Sequence, residues 1–295
     1  RTVQITGLEE GAMWEFRGGG YTGSWQVGSG SSLELEGADG TKDLQVRQVD
    51  LAGNVQSWWV DLLVQLDTSA AALGVSLAAD TGSNDADSIT NNGLVSFDLT
   101  SLEENASWQY SLNGTDWVTG TESSIAVEGD GDKTVSIRQT DQAGNTSTIS
   151  SVSFTLDTAA AALGVSLAAD TGSNDADGIT NNGLVNFDLT SLEENASWQY
   201  SLNGIDWVTG TESSIAVEGD GDKTVSIRQT DVAGNVSSTS SISFTLDTTV
   251  PGSPIVTLET SAGTVVDEFE TERHLTNDRT VQITGLEEGA MWEFR

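Results

Sequence analysis

The sequence contains no cysteine, so neither a disulfide bridge nor thiol chemistry is available to it. Basic residues are scarce, with 11 Lys and Arg against 45 Asp and Glu, which gives a formal net charge of −34. Nucleic acid and anionic membranes are therefore poor partners, because both require a basic surface. No apolar run of about 18 residues occurs, which excludes a membrane-spanning helix. The acidic residues either keep the chain soluble or collect cations.

Residues suited to catalysis are also scarce. The single histidine, His274, lies in an acidic segment, where a solvated side chain is expected. Glu103 and Glu104 are adjacent in one loop, which is not the arrangement of two carboxylates that face each other across a bond. No nucleophile stands beside a base, so the sequence predicts that the chain is not an enzyme.

The sequence is, by contrast, strongly self-similar. The tripeptide Leu-Asp-Thr occurs at 66–68, 156–158 and 246–248, a spacing of 90 residues. Residues 67–156 (repeat one) and 157–246 (repeat two) differ at only nine positions. Such a period is too long for one turn of a solenoid, and it matches a small autonomous domain.

The two ends of the sequence belong to a second, divergent domain type. Residues 1–17 are identical to 279–295. We expect 1–66 to be strands B to G of a partial divergent domain, and 247–295 to be strands A to C of the next one. Both ends of the sequence would then cut through domains. Strand A, near 254–260, could complete the B–G fragment of another molecule, which would give head-to-tail self-association.

Hydrophobic residues alternate with a period of two within each repeat, as in Trp108, Tyr110 and Leu112. Turn signals such as Asn113-Gly114 separate these runs. About seven short strands and no helical stretch predict an all-β fold, in which tandem Ig-like antiparallel β-sandwich domains are joined end to end. In repeat one the predicted strands A to G cover 73–79, 93–100, 106–112, 116–119, 123–128, 133–140 and 146–156.

Two tryptophans of repeat one have different expected positions. Ig-like sandwiches commonly bury a tryptophan on strand C, which places Trp108 in the core. Trp117 follows the Asn113-Gly114 turn, and the sequence leaves open whether it caps the hairpin or is exposed.

Acidic side chains concentrate where strands end. The A–B loop carries Asp80, Asp85 and Asp87, while Asp141 and Asn145 bracket the F–G loop. The linkers before and after the repeat contribute one aspartate each, Asp67 and Asp157. In a seven-stranded sandwich the A–B loop lies at the C-terminal pole and the F–G loop at the N-terminal pole. End-to-end stacking is then expected to bring the A–B loop and Asp157 towards two residues of the next repeat, Asp231 and Asn235.

Converging carboxylates repel each other unless a cation neutralises them. Calcium takes six to eight hard oxygen ligands and tolerates irregular geometry, so calcium is favoured over magnesium. The alternative is that the loops are ordinary solvated turns, since Asp-Gly and Asn-Gly are common turn formers. The loops match no EF-hand, because the Asp85-x-Asp87 segment lacks the later glycine and the terminal glutamate.

Several motifs together resemble the bacterial Ig-like extender domains of giant RTX adhesins. They are the Leu-Asp-Thr linker, the Asp-Thr-Gly loop at 80–82, Trp-x-Tyr-Ser-Leu-Asn-Gly at 108–114 and Asp-x-Ala-Gly-Asn at 141–145. The resemblance implies type I secretion to the bacterial cell surface, calcium bound between domains, and a spacer that projects a ligand-binding tip in adhesion or biofilm formation.

The resemblance also extends the set of candidate calcium ligands to the equivalent positions of the other domains. The full set is Asp50, Asn54, Asp67, Asp80, Asp85, Asp87, Asp141, Asn145, Asp157, Asp170, Asp175, Asp177, Asp231, Asn235 and Asp247. The divergent domain departs from the pattern because its A–B segment has no Asp-Thr-Gly. Asp267, Glu268 and Glu270 are possible substitutes there.

A second function is a carbohydrate- or protein-binding module built on aromatics of the divergent domain. The candidate residues are Tyr21, Trp25, Trp58 and Trp59. On strand G the alternation of Val60, Leu62, Val64 and Leu66 should face the core, which leaves Trp59 and Leu63 on the opposite face. Packing against a neighbouring domain is the favoured role of these aromatics, because no convergent polar groups accompany them.

Overall fold

The computed structural model describes residues 1–18, 23–258, 263–266, 272–275 and 280–294, and its regular structure is entirely β. The strands are, in chain order, β1 (Thr2–Gln4), β2 (Met13–Gly18), β3 (Gln26–Val27), β4 (Ser32–Glu34), β5 (Gly40–Val49), β6 (Val60–Leu66), β7 (Gly74–Leu77), β8 (Ile89–Thr90), β9 (Leu94–Asp98), β10 (Ser107–Ser111), β11 (Val118–Thr119), β12 (Ser124–Ala126), β13 (Gly131–Thr140), β14 (Ser150–Leu156), β15 (Gly164–Leu167), β16 (Ile179–Thr180), β17 (Leu184–Asp188), β18 (Ser197–Ser201), β19 (Val208–Thr209), β20 (Ser214–Ala216), β21 (Gly221–Thr230), β22 (Ser240–Leu246), β23 (Ile255–Leu258), β24 (Gly263–Val266), β25 (Glu272–Leu275) and β26 (Val281–Thr284). Within these ranges no helix is long and apolar enough to cross a membrane.

Repeat one forms two sheets, which confirms the predicted all-β sandwich. One sheet has the order β12-β9-β7 and the other β11-β10-β13-β14-β8. The predicted strands A to G correspond in order to β7 and to β9 through β14. The sequence did not predict β8, whose two residues pair in parallel with the end of β14. Two residues are too few to show an alternating pattern, so no periodicity marks this strand.

The core of repeat one lies between the two sheets. Val95, Val135 and Ile137 are fully buried, and Trp108 is 6% exposed, which confirms its predicted place in the core. The ring of Trp108 lies 5.0 Å from that of Phe97. Gly120 accommodates this ring, because a Cβ atom at position 120 would lie 2.1 Å from it. The tryptophan therefore requires glycine at this position.

Trp117 lies outside the core, on the outer face of the five-stranded sheet. Its ring is half-buried, and the guanidinium of Arg138 stacks 3.9 Å from the ring centroid. Arg138 also donates to the side chain of Gln109 on the next strand. The sequence leaves the position of Trp117 open, and the structure shows its side chain half-buried and stabilised by a cation–π contact with Arg138.

Repeat two has the same strand orders, β15-β17-β20 and β16-β22-β21-β18-β19. Its core contains Trp198, Val225 and Ile227 at the equivalent positions. The chain divides into two compact units, residues 1–159 with 232–235 and residues 160–231 with 236–295. The predicted domain boundaries stay a prediction.

The segment 1–66 contains a four-stranded sheet of order β3-β2-β5-β6 and a two-stranded sheet of β1 and β4. Trp14, Leu44 and Leu66 are buried. Strand G follows the predicted alternation only in part, because Leu66 is buried while Val60 is 61% exposed. In the repeats a three-stranded sheet covers this face, whereas the described residues supply only two strands here. Beyond repeat two, β23 pairs with β26 and β24 with β25.

Candidate metal centre

The Asp-x-Ala-Gly-Asn motif closes the F–G loop of repeat one through its own two ends. Asp141 accepts hydrogen bonds from the backbone N and the side-chain Nδ2 of Asn145, both at 2.7 Å. Asp141 N in turn donates to the carbonyl of Asn145. Gly144 has a φ of 90°, which glycine adopts without strain. The motif therefore has a structural role, and it also fixes the carboxylate of Asp141 in place.

Gln139 attaches the leading linker of repeat one to the B–C loop. Its side chain is fully buried, and Nε2 donates to the carbonyls of Ala71 and Ser101 at 2.7 and 3.0 Å. Its Oε1 accepts from the backbone N of Glu103 at 3.1 Å. Glu103 completes the connection, because its carboxylate accepts from Ala71 N at 2.7 Å. These bonds hold a glutamate beside the linker.

Three carboxylates meet at this pole of repeat one. Asp67 from the linker, Glu103 from the B–C loop and Asp141 from the F–G loop each offer one oxygen, and these oxygens all lie within 4.8 Å of one another. Asp141 is buried, whereas Asp67 and Glu103 are half-buried. No Lys or Arg among the described residues forms an ion pair with Asp67, Glu103 or Asp141.

The cluster is negatively charged at neutral pH. Burial raises the pKa of Asp141, but hydrogen bonds from the side chain and backbone of Asn145 and from the Gly144 and Ala143 backbone outweigh it, and the net pKa lies below the ordinary value. Ionised carboxylates this close repel each other in a partly desolvated site. Hard oxygen donors of this kind are the ligands that calcium takes. The residues present therefore fit a calcium ion.

Asn145 presents its amide nitrogen, not its oxygen, to this cluster. Nδ2 donates to the backbone carbonyl of Asp67 at 3.1 Å as well as to Asp141. In this orientation Asn145 screens the negative charge as a donor. Its predicted role as a ligand through Oδ1 requires the amide to turn over, and that role stays a prediction.

Glu103 is absent from the predicted metal ligands, because the sequence draws attention to the Glu103-Glu104 pair only as possible catalytic groups. A signal was present in the sequence. Leu-Glu-Glu recurs at 8–10, 102–104, 192–194 and 286–288. In each case a tryptophan follows six residues after the leucine. The recurrence places the first glutamate on the B–C loop of every domain, and that loop lies at the same pole as the F–G loop.

The A–B loop of repeat one is organised around Asp80. Its Oδ2 accepts from Ser88 N at 2.8 Å, while its Oδ1 is buried and accepts no hydrogen bond from the described residues. Asp87 accepts from Ile89 N, and Asp85 is exposed. A buried carboxylate oxygen without a donor is costly unless a cation or water supplies its partner. This oxygen is a second point at which the structure fits a cation.

The A–B loop lies at the trailing pole of repeat one, as the topology argument predicts. The backbone N of Asp157, in the trailing linker, donates to the carbonyl of Thr90 at the end of this loop. The structure thus brings the A–B loop to the trailing linker, and the F–G loop to the leading one. The predicted convergence of Asp80, Asp85 and Asp87 with Asp231 stays a prediction.

Repeat two carries the same candidate ligands at positions 90 residues later. Asp170 Oδ1 is again buried without a hydrogen bond, and Asp170 Oδ2 accepts from Gly178 N. Gln229 is fully buried and bonded to Ala161, as Gln139 is to Ala71. Of the remaining candidates, Asp231 is buried, whereas Asp175 and Asp177 are exposed. The carbonyl of Asp157 accepts a hydrogen bond from Asn235 Nδ2. The backbone N of Asp247 donates to the carbonyl of Thr180.

The divergent segment retains part of this arrangement. Asp50 accepts from the N and Nδ2 of Asn54, as Asp141 does from Asn145. The side-chain hydrogen bond from Asn54 is the main cause of a lowered pKa at Asp50. Glu9 N donates to Gln48 in the manner of Glu103 and Gln139. The proposed substitutes Asp267, Glu268 and Glu270 lie outside the described residues.

The aromatic side chains of the divergent segment are largely engaged by arginines. Trp25 has the guanidinium of Arg47 at 4.0 Å and that of Arg17 at 4.6 Å from its ring centroid. Arg17 also stacks on Trp59, which is 41% exposed. Trp58 is 83% exposed. Tyr21, the fourth aromatic residue of the predicted ligand surface, lies outside the described residues.

Comparison with known proteins gives one family match. A family model described as "Bacterial Ig-like domain" matches residues 67–158 and again residues 159–248. No curated protein matches the chain.

Solved structures similar to the chain include the following three. A tetra-tandem repeat in the extending region of a large adhesion protein is 19% identical, with a TM-score of 0.25 over 93% of this chain and 80% of that one. A structure described as giving insight into host cell surface retention of a 1.5-MDa bacterial ice-binding adhesin is 19% identical, with a TM-score of 0.34 over 80% of this chain and 85% of that one. Fibronectin(III)-like modules of Clostridium thermocellum CbhA are 12% identical, with a TM-score of 0.34 over 59% and 94% of the two chains.

Proposed function

This chain belongs to the bacterial Ig-like domain family, and we propose that it is a calcium-stiffened extender segment of a large bacterial cell-surface adhesin of the RTX type. In this role it is secreted by a type I system. It holds a ligand-binding tip away from the cell in adhesion or biofilm formation. The role is mechanical, and the chain catalyses no reaction.

The observation that carries the proposal is the carboxylate cluster of repeat one, Asp67, Glu103 and Asp141. Its members come from the linker that precedes the domain and from two loops of the domain itself. An ion bound by all three would therefore tie the direction of the linker to the body of the domain. Repeat two has the same three residue types at 157, 193 and 231, so the sequence pattern repeats along the chain.

Neighbouring side chains hold the carboxylate cluster in a fixed arrangement before an ion binds. Gln139 and Asn145 hold Glu103 and Asp141 in place by hydrogen bonds, so little ordering of these side chains is needed when an ion binds. Calcium, when bound, supplies the positive charge that offsets the repulsion among the carboxylates. Without it the same repulsion favours movement of the linker away from the loops, and hence a more flexible chain.

A stiff array of such domains suits a spacer. At about 3.3 Å per residue, the ten-residue strand β13 spans roughly 33 Å, so each domain contributes a reach of roughly 30–40 Å. Near-identical domains in series add length without adding a new binding specificity. Coupling of rigidity to calcium would also keep the chain compliant inside the cell, where calcium is low, and stiffen it outside.

The test is a comparison of the full chain in calcium chloride and in EGTA, by calorimetric melting and by small-angle scattering. A calcium concentration about 100 times the Kd contributes about 2.7 kcal/mol for each site. For a domain of this size the Tm is therefore expected to rise by roughly 10 °C or more. Scattering should show a narrower range of chain dimensions with calcium. Melting and scattering curves that EGTA leaves unchanged would contradict the proposal.

The double variant Glu103→Gln with Glu193→Gln makes the test specific to the cluster. Glutamine keeps an acceptor oxygen for Ala71 N and removes only the charge. The variant should lose most of the calcium-dependent rise in Tm. In EGTA it should melt above the unmodified chain, because one repulsive charge is gone from each cluster. The control is Glu104→Gln with Glu194→Gln, the same charge change on the adjacent exposed residues, which should leave the calcium response intact.

A further inference from the structure

The linker signature Leu-Asp-Thr has a different environment at each of its three positions, and the proposed function uses only the aspartate. The leucine is the last residue of β6, β14 or β22, and it is buried in all three copies, at 66, 156 and 246. It therefore anchors the start of the linker in the core before it. The threonine lies two residues further on, beyond the end of the strand.

The threonine hydroxyl donates in each copy to an aspartate in the turn that leads into β5, β13 or β21. The pairs are Thr68 with Asp39 at 2.8 Å, Thr158 with Asp130 at 2.8 Å and Thr248 with Asp220 at 2.7 Å. In the two repeats the backbone N of the same threonine also donates to that oxygen, at 3.0 and 2.8 Å. These three acceptors are called the turn aspartates below. Because the contact recurs in both repeats and in the divergent segment, it is a common feature of the linkers.

Strand register explains why a turn aspartate reaches the linker. Gly40, the first residue of β5, pairs with Leu66 at the end of the antiparallel ladder. The same place is held by Gly131 opposite Leu156 and by Gly221 opposite Leu246. Asp39 precedes the first of these glycines and Thr68 follows the leucine by two residues, so both lie just beyond the ladder. The side-chain hydrogen bond thus continues the attachment where backbone pairing ends.

The aspartate of the signature is held from the other side of the linker. Asp67 lies with Glu103 and Asp141 in the carboxylate cluster, and its carbonyl accepts from Asn145 Nδ2. Residue 68 is therefore attached to the sheet before the linker, whereas residue 67 is attached to the repeat after it. Neighbouring residues share a planar peptide bond, so a fixed Thr68 restricts where the carboxylate of Asp67 can lie.

We propose that Asp39 is a positioning residue for the carboxylate cluster of repeat one. By accepting from Thr68, it fixes the direction in which the linker leaves the sheet, and so presents Asp67 to the rest of the cluster before an ion binds. The other turn aspartates hold the next two linkers in the same way. The inference rests on the proposed function for the ion itself, whereas the attachment of the linker does not depend on the ion.

The expected contribution to calcium affinity is moderate, because the hydrogen bond is accessible to water. Thr68 is half-buried and Asp39 is exposed. Without this bond the linker has to be ordered when the ion binds, and that cost appears as a weaker affinity. The net strength of one hydrogen bond corresponds to roughly a three- to tenfold change in Kd.

Calorimetric titration of the full chain with calcium chloride tests the positioning role. The site of repeat one is the component of the titration that Glu103→Gln removes. Thr68→Val keeps the shape and charge of the side chain but removes the donor, so the Kd of that component should rise roughly three- to tenfold. Thr68→Ser keeps the hydroxyl and should bind calcium as the unmodified chain does. An unchanged Kd in Thr68→Val would overturn the proposal.

Substitutions of Asp39 separate its hydrogen bond from its charge. Asp39→Asn keeps an acceptor oxygen for the Thr68 hydroxyl and removes the charge, so most of the affinity should remain. Asp39→Ala removes both the acceptor and the charge, and its loss of affinity should be at least that of Thr68→Val. An equal loss in the two Asp39 variants would show that Asp39 acts through its charge alone, which would contradict a positioning role.

Hydrogen exchange in EGTA tests the attachment of the linker without the ion. The amide of Thr158 donates to Asp130, so it should be protected from exchange in the unmodified chain. Asp130→Ala should remove this protection. The matched control is Asp132→Ala, the same change two residues away, where the carboxylate accepts from Thr155 within the sheet. The control should leave the Thr158 amide protected.

The two measurements distinguish failure of this inference from failure of the proposed function. Loss of protection in Asp130→Ala supports the attachment even if no calcium binds, and in that case the proposed function is the part that fails. Protection that survives Asp130→Ala would mean that the turn aspartate does not hold the linker, and the inference would then be wrong whatever the calcium titration shows.

Discussion

At the scale of single residues, Ser88 of repeat one and Gly178 of repeat two are equivalent residues at one of the nine positions where the repeats differ. This difference is expected to affect the stability of the two repeats. Both occupy the left-handed region, with φ of 62° for Ser88 and 75° for Gly178. A residue with a Cβ atom is strained in this region, and glycine is not, although glycine has more conformational freedom to lose on folding. Ser88→Gly should therefore raise the free energy of unfolding of repeat one by about 0.5–1 kcal/mol. Urea denaturation measures this, and Gly178→Ser should lower the stability of repeat two by a similar amount.

Asp220 makes the trailing linker of repeat two sensitive to acid. Its carboxylate accepts from the Thr249 hydroxyl and from the hydroxyl and N of Thr248, and these bonds lower its pKa from 3.8 to about 2. Because the folded-state pKa lies below the unfolded value, the stabilisation is complete above the ordinary pKa and is lost as the pH falls towards 2. We expect an NMR titration of Asp220 to have its midpoint near 2.

A threonine substitution gives that titration a control. Thr249→Val keeps the shape of the side chain and removes the hydroxyl that lowers the pKa of Asp220 most. The midpoint should then move up, towards the ordinary value for aspartate. A midpoint near 4 in the unmodified chain, or one that Thr249→Val does not move, would be evidence against these hydrogen bonds.

The sequence predicts individual residues where the pattern is local, and fails where the partner is remote. Trp108 follows from its place on an alternating strand. Asp67 and Asp141 are predictable from the sequence because they lie in a linker and at the base of a turn, where a carboxylate is easily noticed. Glu103 is not predictable in this way, because its role depends on Gln139, which is 36 residues away and buried in β13. No short-range pattern encodes that contact.

At the scale of elements, Gln139 attaches the leading linker and the B–C loop to its own strand, β13. It bonds the linker at Ala71, the B–C loop at Ser101 and the backbone of Glu103. Gln139→Leu keeps the volume but leaves these backbone groups without a partner, each at a cost of about 1–3 kcal/mol where it stays buried. We expect the variant to destabilise repeat one by about 3 kcal/mol in urea denaturation.

The control for this prediction is Ser153→Ala on the exposed face of β14. An exposed substitution of this kind changes stability by no more than about 0.5 kcal/mol. Equal effects of the two substitutions would mean that Gln139 does not attach the linker. Gln229→Leu repeats the test in repeat two, where the same bonds reach Ala161 and Ser191.

Strands were predictable in proportion to their length and to the clarity of their alternation. The strand β13 shows a long alternation, so its position follows from the sequence. Its start at Gly131 lies in a turn signal, and the sequence therefore predicts a later start, at Lys133. The strand β8 has two residues and pairs in parallel with residues of β14 that lie 66 positions later, which no local pattern reveals. Val60 shows a further limit, because alternation gives the side of the sheet that a residue faces but not whether another strand covers it.

At the scale of the whole molecule, the 90-residue period was sufficient to predict tandem domains, because near-identical segments must fold alike. The same period does not reveal what happens between domains. The poles of the sandwich can be derived from strand order, and the structure agrees that the F–G loop lies near the leading linker and the A–B loop near the trailing one. Which carboxylates share an ion depends on distances that topology alone does not supply.

The net charge of −34 gives a final prediction for the whole chain. Self-repulsion of so many carboxylates destabilises the compact state, and salt reduces it, because the Debye length is about 30 Å at 0.01 M and about 8 Å at 0.15 M salt. In EGTA the Tm should therefore rise by several degrees when sodium chloride increases over this range. With saturating calcium the carboxylate clusters are already neutralised, so the same increase in salt should change the Tm less. Calorimetric scans at fixed pH measure both slopes. A Tm that falls with salt in EGTA, or slopes that are equal with and without calcium, would show that repulsion within the clusters does not limit stability.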